Sequence, residues 1–240
     1  LSAIDMDGAS VLPSPQETIY VFDEAHSLAA KAVEHFSARH ALRGAMEWPE
    51  GACNAVRDAV LGLRLDEQLI RDSRASAERM ERALRDLHSR IHGTNGFEEK
   101  RARRFKSGPL PDWCKSAGGQ VLAAGEELQK TFASLREHVL EKAPSVGALA
   151  TQVLSVLGFY VVRLDNLVDT WQLMLTEQPE GSPPIARWIE QHDEGGRPDD
   201  YQVCASPTSG SDKLRKLLWN RASGAVVMSA TLTSCGTFDL

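Results

Sequence analysis

Apolar residues in the middle of the chain recur at alternating steps of three and four, which is the period of an amphipathic α-helix. The pattern covers three stretches: residues 77–91, 121–139 and 146–174. A loop around residues 92–112 and a turn at Pro144 would connect them, and connections this short make consecutive helices antiparallel. The sequence therefore predicts a mainly α fold, with a bundle of long antiparallel helices over most of residues 45–180.

A short run of β-branched and aromatic residues precedes this helical region. Residues 18–22, Thr-Ile-Tyr-Val-Phe, have the pattern of a strand that is buried on both faces of a parallel sheet. Asp23, Glu24 and His26 follow at its carboxyl end, where parallel strands deliver side chains to a ligand crevice. Residues 27–44 then predict a helix that ends at a break at Pro49 and Gly51.

Short strands are predicted again toward the end of the chain. Residues 185–191 and 201–205 bracket a polar turn, which predicts a hairpin. Residues 211–220 predict a short helix, and residues 225–228 predict a second buried strand. That strand would end at Ser229, Ala230 and Thr231. The few strands therefore indicate an α/β region at both ends of the helical bundle.

Composition limits the kind of protein this can be. A formal net charge of −6 over 240 residues argues against a protein that coats nucleic acid, so any contact with DNA must be local. The four cysteines are too widely spaced for the usual zinc or iron–sulfur motifs, which predicts reduced, unligated thiols. We expect no apolar run of about 20 residues that could span a membrane, hence a cytoplasmic protein. The chain begins at Leu1 and ends at Leu240, and we expect it to be a segment of a longer polypeptide.

Two adjacent carboxylates at the end of a strand are the arrangement that a nucleotide hydrolase needs. Asp23 would hold Mg²⁺ through its waters, and Glu24 would orient or deprotonate the water that attacks the γ-phosphate of ATP. His26 would couple that site to neighbouring segments. The alternative is a helix N-terminus at which acidic residues offset the helix dipole.

A basic segment stands out in the otherwise acidic helical region. It follows a glycine-containing turn and has one aromatic residue among its charges: Lys100, Arg101, Arg103, Arg104, Phe105 and Lys106. Such a segment could contact single-stranded DNA through phosphates and one stacked base. The alternative is a solvated loop between helices, and the five tryptophans are interpreted as packing anchors.

Two of these motifs together resemble a known family. Residues 20–26 resemble motif II of superfamily 2 helicases, and residues 226–232, Val-Val-Met-Ser-Ala-Thr-Leu, resemble motif III. Their wide separation by a helical bundle resembles the XPD and DinG branch, in which an arch domain is inserted between the two motifs. The resemblance implies three regions: residues 1–44 in the first RecA-like motor domain, residues 45–184 as the arch, and residues 185–240 returning to the motor.

The resemblance implies an ATP-dependent DNA helicase acting in repair or replication, which moves 5′ to 3′ on single-stranded DNA with ATP and Mg²⁺. Ser229, Ala230 and Thr231 would couple hydrolysis to movement. In this family the cysteines that bind the iron–sulfur cluster lie upstream of motif II, so they would be outside this chain. The chain contains no Gly-Lys-Ser/Thr phosphate-binding sequence, so we expect it to be inactive alone.

Two other interpretations stay open. The first is a helical scaffold or adaptor for protein partners, which would explain the bundle but leaves both motifs as coincidences. The second is a nuclease relative of the same family, since some relatives in the branch carry nuclease domains. The oligomeric state is left open as well. The motor interpretation requires the strands that end at Asp23 and Ser229 to be adjacent and parallel, with both motifs at one edge.

Overall fold

The structure is a computed structural model that describes residues 14–93, 102–105, 110–177, 181, 183–194 and 197–230. Helices dominate these residues, which confirms the prediction of a mainly α fold. The helices are α1 (Leu28–His35), α2 (Leu42–Glu47), α3 (Pro49–Leu63), α4 (Gln68–His92), α5 (Asp112–Leu175) and α6 (Ser211–Leu214), which continues as a π-helical turn (Arg215–Trp219). The strands are β1 (Ile19–Phe22), β2 (Ala38–Ala41), β3 (Ala102–Phe105), β4 (Ile185–Glu194), β5 (Arg197–Pro207) and β6 (Gly224–Val227).

The chain forms two compact units. The first consists of residues 1–37, 178–185 and 206–240, and the second consists of residues 38–177 and 186–205. Both sequence motifs belong to the first unit, and the long helices belong to the second. Most of β4 and β5 also falls in the second unit, whereas the sequence assigned that region to the return to the motor. The three predicted domain boundaries themselves stay a prediction.

The first unit is built on a pair of parallel strands. Strands β1 and β6 are hydrogen-bonded neighbours, and their register pairs Ile19 with Gly224 and Phe22 with Val227. The two strands are therefore adjacent and parallel, as the sequence predicted. Since parallel strands end at the same edge, the residues that follow Phe22 and Val227 come together there.

Only one face of β1 is covered. Tyr20 is buried against Leu218, which lies in the turn that follows α6. Ile19 and Val21 point to the opposite face and are 66% and 61% exposed. The expectation of a strand buried on both faces is therefore wrong for this structure, because one side of the two-stranded sheet has no covering layer among the described residues.

The chain between the first strand and the bundle differs from the single helix predicted over residues 27–44. Helix α1 ends at His35, and β2 then pairs antiparallel with β5. Ala38 and His40 are buried on alternate positions of this strand, so tertiary pairing overrides the local helical preference. Helix α2 ends at Glu47, which confirms the predicted break at Pro49. Pro49 then begins α3, because a proline is well placed where the first helical N–H has no partner, and Gly51 lies within that helix.

The predicted turn at Pro144 is also wrong in detail. Helical backbone runs through Pro144, and only Gly147 departs from it, at φ 15° and ψ −82°. The chain nevertheless reverses direction there, as shown by the 2.6 Å hydrogen bond that Gln129 in the first half of α5 donates to Asp165 in the second half. The two halves pack antiparallel, and α4 packs against α5, which confirms this part of the predicted bundle.

A four-stranded sheet completes the second unit, with strand order β2-β5-β4-β3. The predicted hairpin corresponds to the neighbouring strands β4 and β5. Strand β3 lies within the stretch predicted to be a loop, and it pairs antiparallel with β4. Its four residues have no strong strand pattern, so only the distant partner strand makes them a strand.

Helix α5 contains a segment long and apolar enough to cross a membrane, judged by length and composition alone. Residues 143–162 carry no charged side chain, so the expectation that no such run exists is wrong. Core helices of soluble proteins pass the same test, but only 11% of this apolar window is buried. Phe159 and Val162 are among its exposed side chains.

Candidate functional site

Backbone hydrogen bonds join the two motifs beyond the ends of their strands. The Met228 N–H donates to the Phe22 carbonyl at 2.8 Å, and the Ala25 N–H donates to the Met228 carbonyl at 2.9 Å. These bonds continue the ladder between β1 and β6 by one step. The segment that contains Asp23 and Glu24 is thereby held beside Ser229.

Three side chains of the two motifs meet at this edge of the sheet. The Ser229 hydroxyl donates to Glu24 Oε2 at 3.1 Å. His26 Nδ1 lies 3.0 Å from Ser229 Oγ and 3.1 Å from Glu24 Oε2. All three contacts are satisfied together if Nδ1 carries the imidazole proton and shares it between the two oxygens. The histidine and the serine therefore fix the orientation of the same carboxylate.

Glu24 has an unusual backbone conformation. Its φ of 50° and ψ of 44° lie in the left-handed region, which is uncommon for a residue other than glycine. Asp23 Oδ1 accepts the Glu24 N–H at 2.9 Å, and the Ser27 hydroxyl donates to the Glu24 carbonyl at 3.1 Å. Strained backbone that the surroundings hold in place is concentrated at functional sites.

The site is open to a ligand. The side chains of His26 and Glu24 are 50% and 65% exposed. Asp23 Oδ2 makes no hydrogen bond to the described residues and is free to accept from water. Oxygen ligands with retained waters are what Mg²⁺ prefers, so Asp23 fits the water-mediated role expected for it. Nowhere in the described part of the chain do three or more His, Cys, Asp or Glu side chains form a group that could hold a metal ion.

Four of the predicted site residues thus lie together: Asp23, Glu24, His26 and Ser229. Ala230 follows Ser229 in an exposed turn. Thr231 lies outside the described residues, so its predicted role beside Ser229 stays a prediction.

The predicted DNA-binding segment is only partly described. Lys100, Arg101 and Lys106 lie outside the described residues, whereas Arg103, Arg104 and Phe105 form most of β3. Successive residues of a strand point to opposite faces, so these three do not form one surface. Arg104 is exposed, and Arg103 and Phe105 are half-buried.

The cysteines in the described region are not arranged as a reactive or ligating set. Cys53, Cys114 and Cys204 form no disulfide. Burial raises the pKa of Cys114 and of Cys204 to about 12, and burial also raises the pKa of Cys53. A high pKa keeps a thiol protonated, and the protonated form is a poor nucleophile and metal ligand. Cys235 lies outside the described residues.

No protein-family model matches the chain. Individual curated proteins do. The chain is 30% identical over 243 residues to the ATP-dependent DNA helicase DinG of Photobacterium profundum, a match that covers 99% of this chain and 35% of that protein. It is 25% identical over 260 residues to DinG of Escherichia coli K12, covering 98% of this chain and 33% of the relative. The Salmonella choleraesuis protein of the same name is 23% identical over 255 residues.

These matches extend over nearly the whole chain. The chain spans about one third of the length of the curated relatives it matches. It is therefore homologous to one continuous segment of the DinG ATP-dependent DNA helicases.

Proposed function

We propose that this chain is the part of an ATP-dependent DNA helicase that carries the ATP-hydrolysing carboxylates and their coupling motif. The observation that carries the proposal is the contact between Glu24, His26 and Ser229 at the ends of two adjacent parallel strands. A helical scaffold has no need to bring these side chains together across 205 residues. The homology to DinG helicases along the whole chain supports the same proposal.

Each carboxylate has its own role. Mg²⁺ bound to ATP supplies charge neutralisation at the β- and γ-phosphates. Asp23 would hold that ion through water, since its carboxylate is exposed. Glu24 orients the attacking water and accepts its proton, since its carboxylate is held from one side by Ser229 and His26 and remains exposed on the other.

Ser229 makes the link between hydrolysis and movement. Its hydroxyl donates to the Glu24 carboxylate, and its backbone follows β6 after one residue, Met228. A shift of the β6 end therefore changes the orientation of Glu24. A change in the charge of Glu24 in turn changes the strength of its hydrogen bond to Ser229, which follows β6. Ala230 and Thr231 continue the same motif.

The two compact units have different roles in this proposal. The first unit is the contribution of this chain to a RecA-like motor domain, and the second is an arch that helps to guide single-stranded DNA. The 5′ to 3′ direction follows from the resemblance to the XPD and DinG branch. An iron–sulfur cluster in the intact protein would be bound outside this chain. We assign the intact protein to DNA repair or replication in the cytoplasm.

The 240 residues alone are expected not to hydrolyse ATP. They contain no Gly-Lys-Ser/Thr sequence to cradle the phosphates. Hydrolysis of ATP by the purified 240-residue chain, dependent on Mg²⁺, would contradict this expectation.

The test of the proposed function uses the intact protein that contains this chain. ATP hydrolysis is measured with and without single-stranded DNA, and unwinding is measured on duplexes with a 5′ or a 3′ single-stranded tail. The motor proposal predicts hydrolysis stimulated by single-stranded DNA and unwinding from the 5′ tail. A protein that neither hydrolyses ATP nor responds to DNA would instead be the scaffold.

A further inference from the structure

The two faces of the four-stranded sheet have different surroundings. Directly opposed residues of antiparallel strands lie on the same face, and β3 pairs Arg104 with Trp188 and Arg103 with Ile189. Ile189 is fully buried, so its face is packed against the rest of the unit. Arg104 is exposed and Trp188 is half-buried on the other face, which we call the outer face.

The aromatic residue of the basic segment lies on the packed face. Phe105 is opposed to Arg187, which is buried and donates to the carbonyl of Leu173 in α5 at 3.4 Å. Phe105 therefore cannot stack a base that contacts Arg104. The aromatic residue that shares the face of Arg104 is Trp188, 84 positions further along the chain.

A second arginine lies on the same outer face. In β2, His40 is buried with its ring 6.1 Å from that of Trp171 in α5, which places His40 on the packed face. Arg39 is its neighbour in the strand, so it points to the outer face, where it is exposed. Arg39 and Arg104 stand on the two edge strands of the sheet, and three strand spacings separate these strands by roughly 14 Å.

The Trp188 ring is held in place between these arginines. Its indole N–H donates to Glu190 Oε1 at 2.6 Å, and Glu190 is two residues along the same strand on the same face. The bond fixes the tryptophan side chain and engages the carboxylate of Glu190. The outer face then presents an oriented aromatic ring with a cation on either side.

We propose that the outer face, with Arg39, Trp188 and Arg104, binds single-stranded DNA by stacking one base on Trp188 and holding phosphates with the two arginines. Base stacking on an aromatic ring with flanking cations is the chemistry of sequence-tolerant single-strand binding. The choice of DNA as the ligand rests on the proposed function, whereas the site rests on the strand pairing and the exposure of its side chains. A local pair of arginines also suits a chain whose net charge of −6 argues against broad contact with nucleic acid.

The test measures binding of a fluorescein-labelled oligo(dT) to the intact protein by anisotropy, without nucleotide and over a range of salt concentrations. Trp188→Leu should weaken binding roughly tenfold, since one stacked base is lost, and leave the salt dependence unchanged. Arg39→Ala and Arg104→Ala should each weaken binding and lower the slope of log K against log salt by about 0.7. Trp188→Phe keeps a ring and should retain most of the affinity.

Arg82→Ala and Arg136→Ala are matched controls, because both arginines are exposed on the helices α4 and α5. They should leave both affinity and salt slope unchanged. Binding by Trp188→Leu equal to wild type would overturn the proposal, and so would salt slopes that do not change in the two arginine variants. Tighter binding of oligo(U) than of oligo(dT) would overturn the assignment to DNA.

The outcome is independent of the proposed motor. If DNA stimulates ATP hydrolysis by the wild type but Trp188→Leu binds DNA as tightly as the wild type, the helicase function stands and the outer-face site is refuted. If Trp188→Leu binds DNA more weakly but the wild type does not hydrolyse ATP, the outer-face site stands and the helicase function is refuted.

Discussion

The Ser229 hydroxyl lies 3.1 Å from Glu24 Oε2, although 205 residues separate the two in the chain. The contact exists because β1 and β6 pair in parallel and their ladder continues to Met228 and Ala25. The long intervening segment folds as its own compact unit for the most part. The cost of closing a long loop grows only slowly with its length, so such an insertion is compatible with a well-formed site.

Ser229→Ala should lower the DNA-stimulated ATP hydrolysis of the intact protein about tenfold. The change removes a hydrogen bond to a carboxylate, and about 1.4 kcal/mol of lost stabilisation corresponds to a factor of ten in rate. ATP binding should be almost unchanged, since the hydroxyl is not expected to contact the nucleotide. Ser89→Ala, at an exposed position of α4, is the control. Equal rates for the two variants would mean that the Ser229 contact has no role in hydrolysis.

Gly118→Ala should destabilise the helical unit. A Cβ at this position would lie 2.2 Å from Trp171 Cζ3, and the fully buried tryptophan has little room to move. We expect a loss of about 2–3 kcal/mol in the free energy of unfolding, measured by urea denaturation. Gly119→Ala is a stringent control, because nothing lies within 4 Å of its added Cβ. That variant should be stabilised by up to about 1 kcal/mol through its helix propensity. Similar stabilities for both variants would contradict the packing of the two halves of α5.

His40 should make the stability of the chain depend on pH. Burial lowers the pKa of His40 from 6.5 to about 4. Above pH 6.5 the imidazole is neutral in both states, whereas below it the unfolded chain binds a proton that the folded chain excludes. Stability therefore falls as the pH decreases from 6.5 to about 4, by about 3 kcal/mol at most.

His40→Leu isolates this effect. The free energy of unfolding should fall less between pH 7 and pH 4.5 in this variant than in wild type, by about 2 kcal/mol. His138→Gln, at an exposed position of α5, should keep the wild-type pH dependence. The same pH dependence in His40→Leu and wild type would show that His40 is not buried in its neutral form.

Arg187→Met should loosen the junction between α5 and the sheet. The buried guanidinium donates to the carbonyls of Leu173 and Thr176, at the C-terminal end of α5. Methionine keeps the apolar stem but leaves these carbonyls without the donor, which costs about 2 kcal/mol in unfolding free energy. Arg82→Met changes the same side chain at an exposed position of α4 and should be neutral. A neutral Arg187→Met would mean that the hydrogen bonds do not stabilise the fold.

The sequence predicted those structural elements that depend on a local pattern of apolar residues. The apolar period over residues 77–91 lies within α4, and the antiparallel halves of α5 follow from the periods on either side of Gly147. Strands β2 and β3 were missed because they are short and lack alternation. Each becomes a strand only by pairing with β5 or β4, which lie more than 80 residues away in sequence.

The same distinction applies to the site. Asp23, Glu24, His26 and Ser229 could be identified from two motifs, since each motif is a continuous stretch of sequence. The division of the basic segment between two faces could not be predicted without knowing that it is a strand. The opposition of Arg104 and Trp188 needs the register of β3 and β4, which no local pattern encodes.

The most direct test of the central claim compares Glu24→Gln with Glu17→Gln in the intact protein, by DNA-stimulated ATP hydrolysis and by ATP binding. Both carboxylates are exposed near β1, but only Glu24 contacts Ser229 and His26. We predict that Glu24→Gln abolishes hydrolysis while ATP still binds, and that Glu17→Gln hydrolyses ATP like wild type. Hydrolysis that is unchanged in Glu24→Gln would contradict the assignment of this site as the centre of the motor.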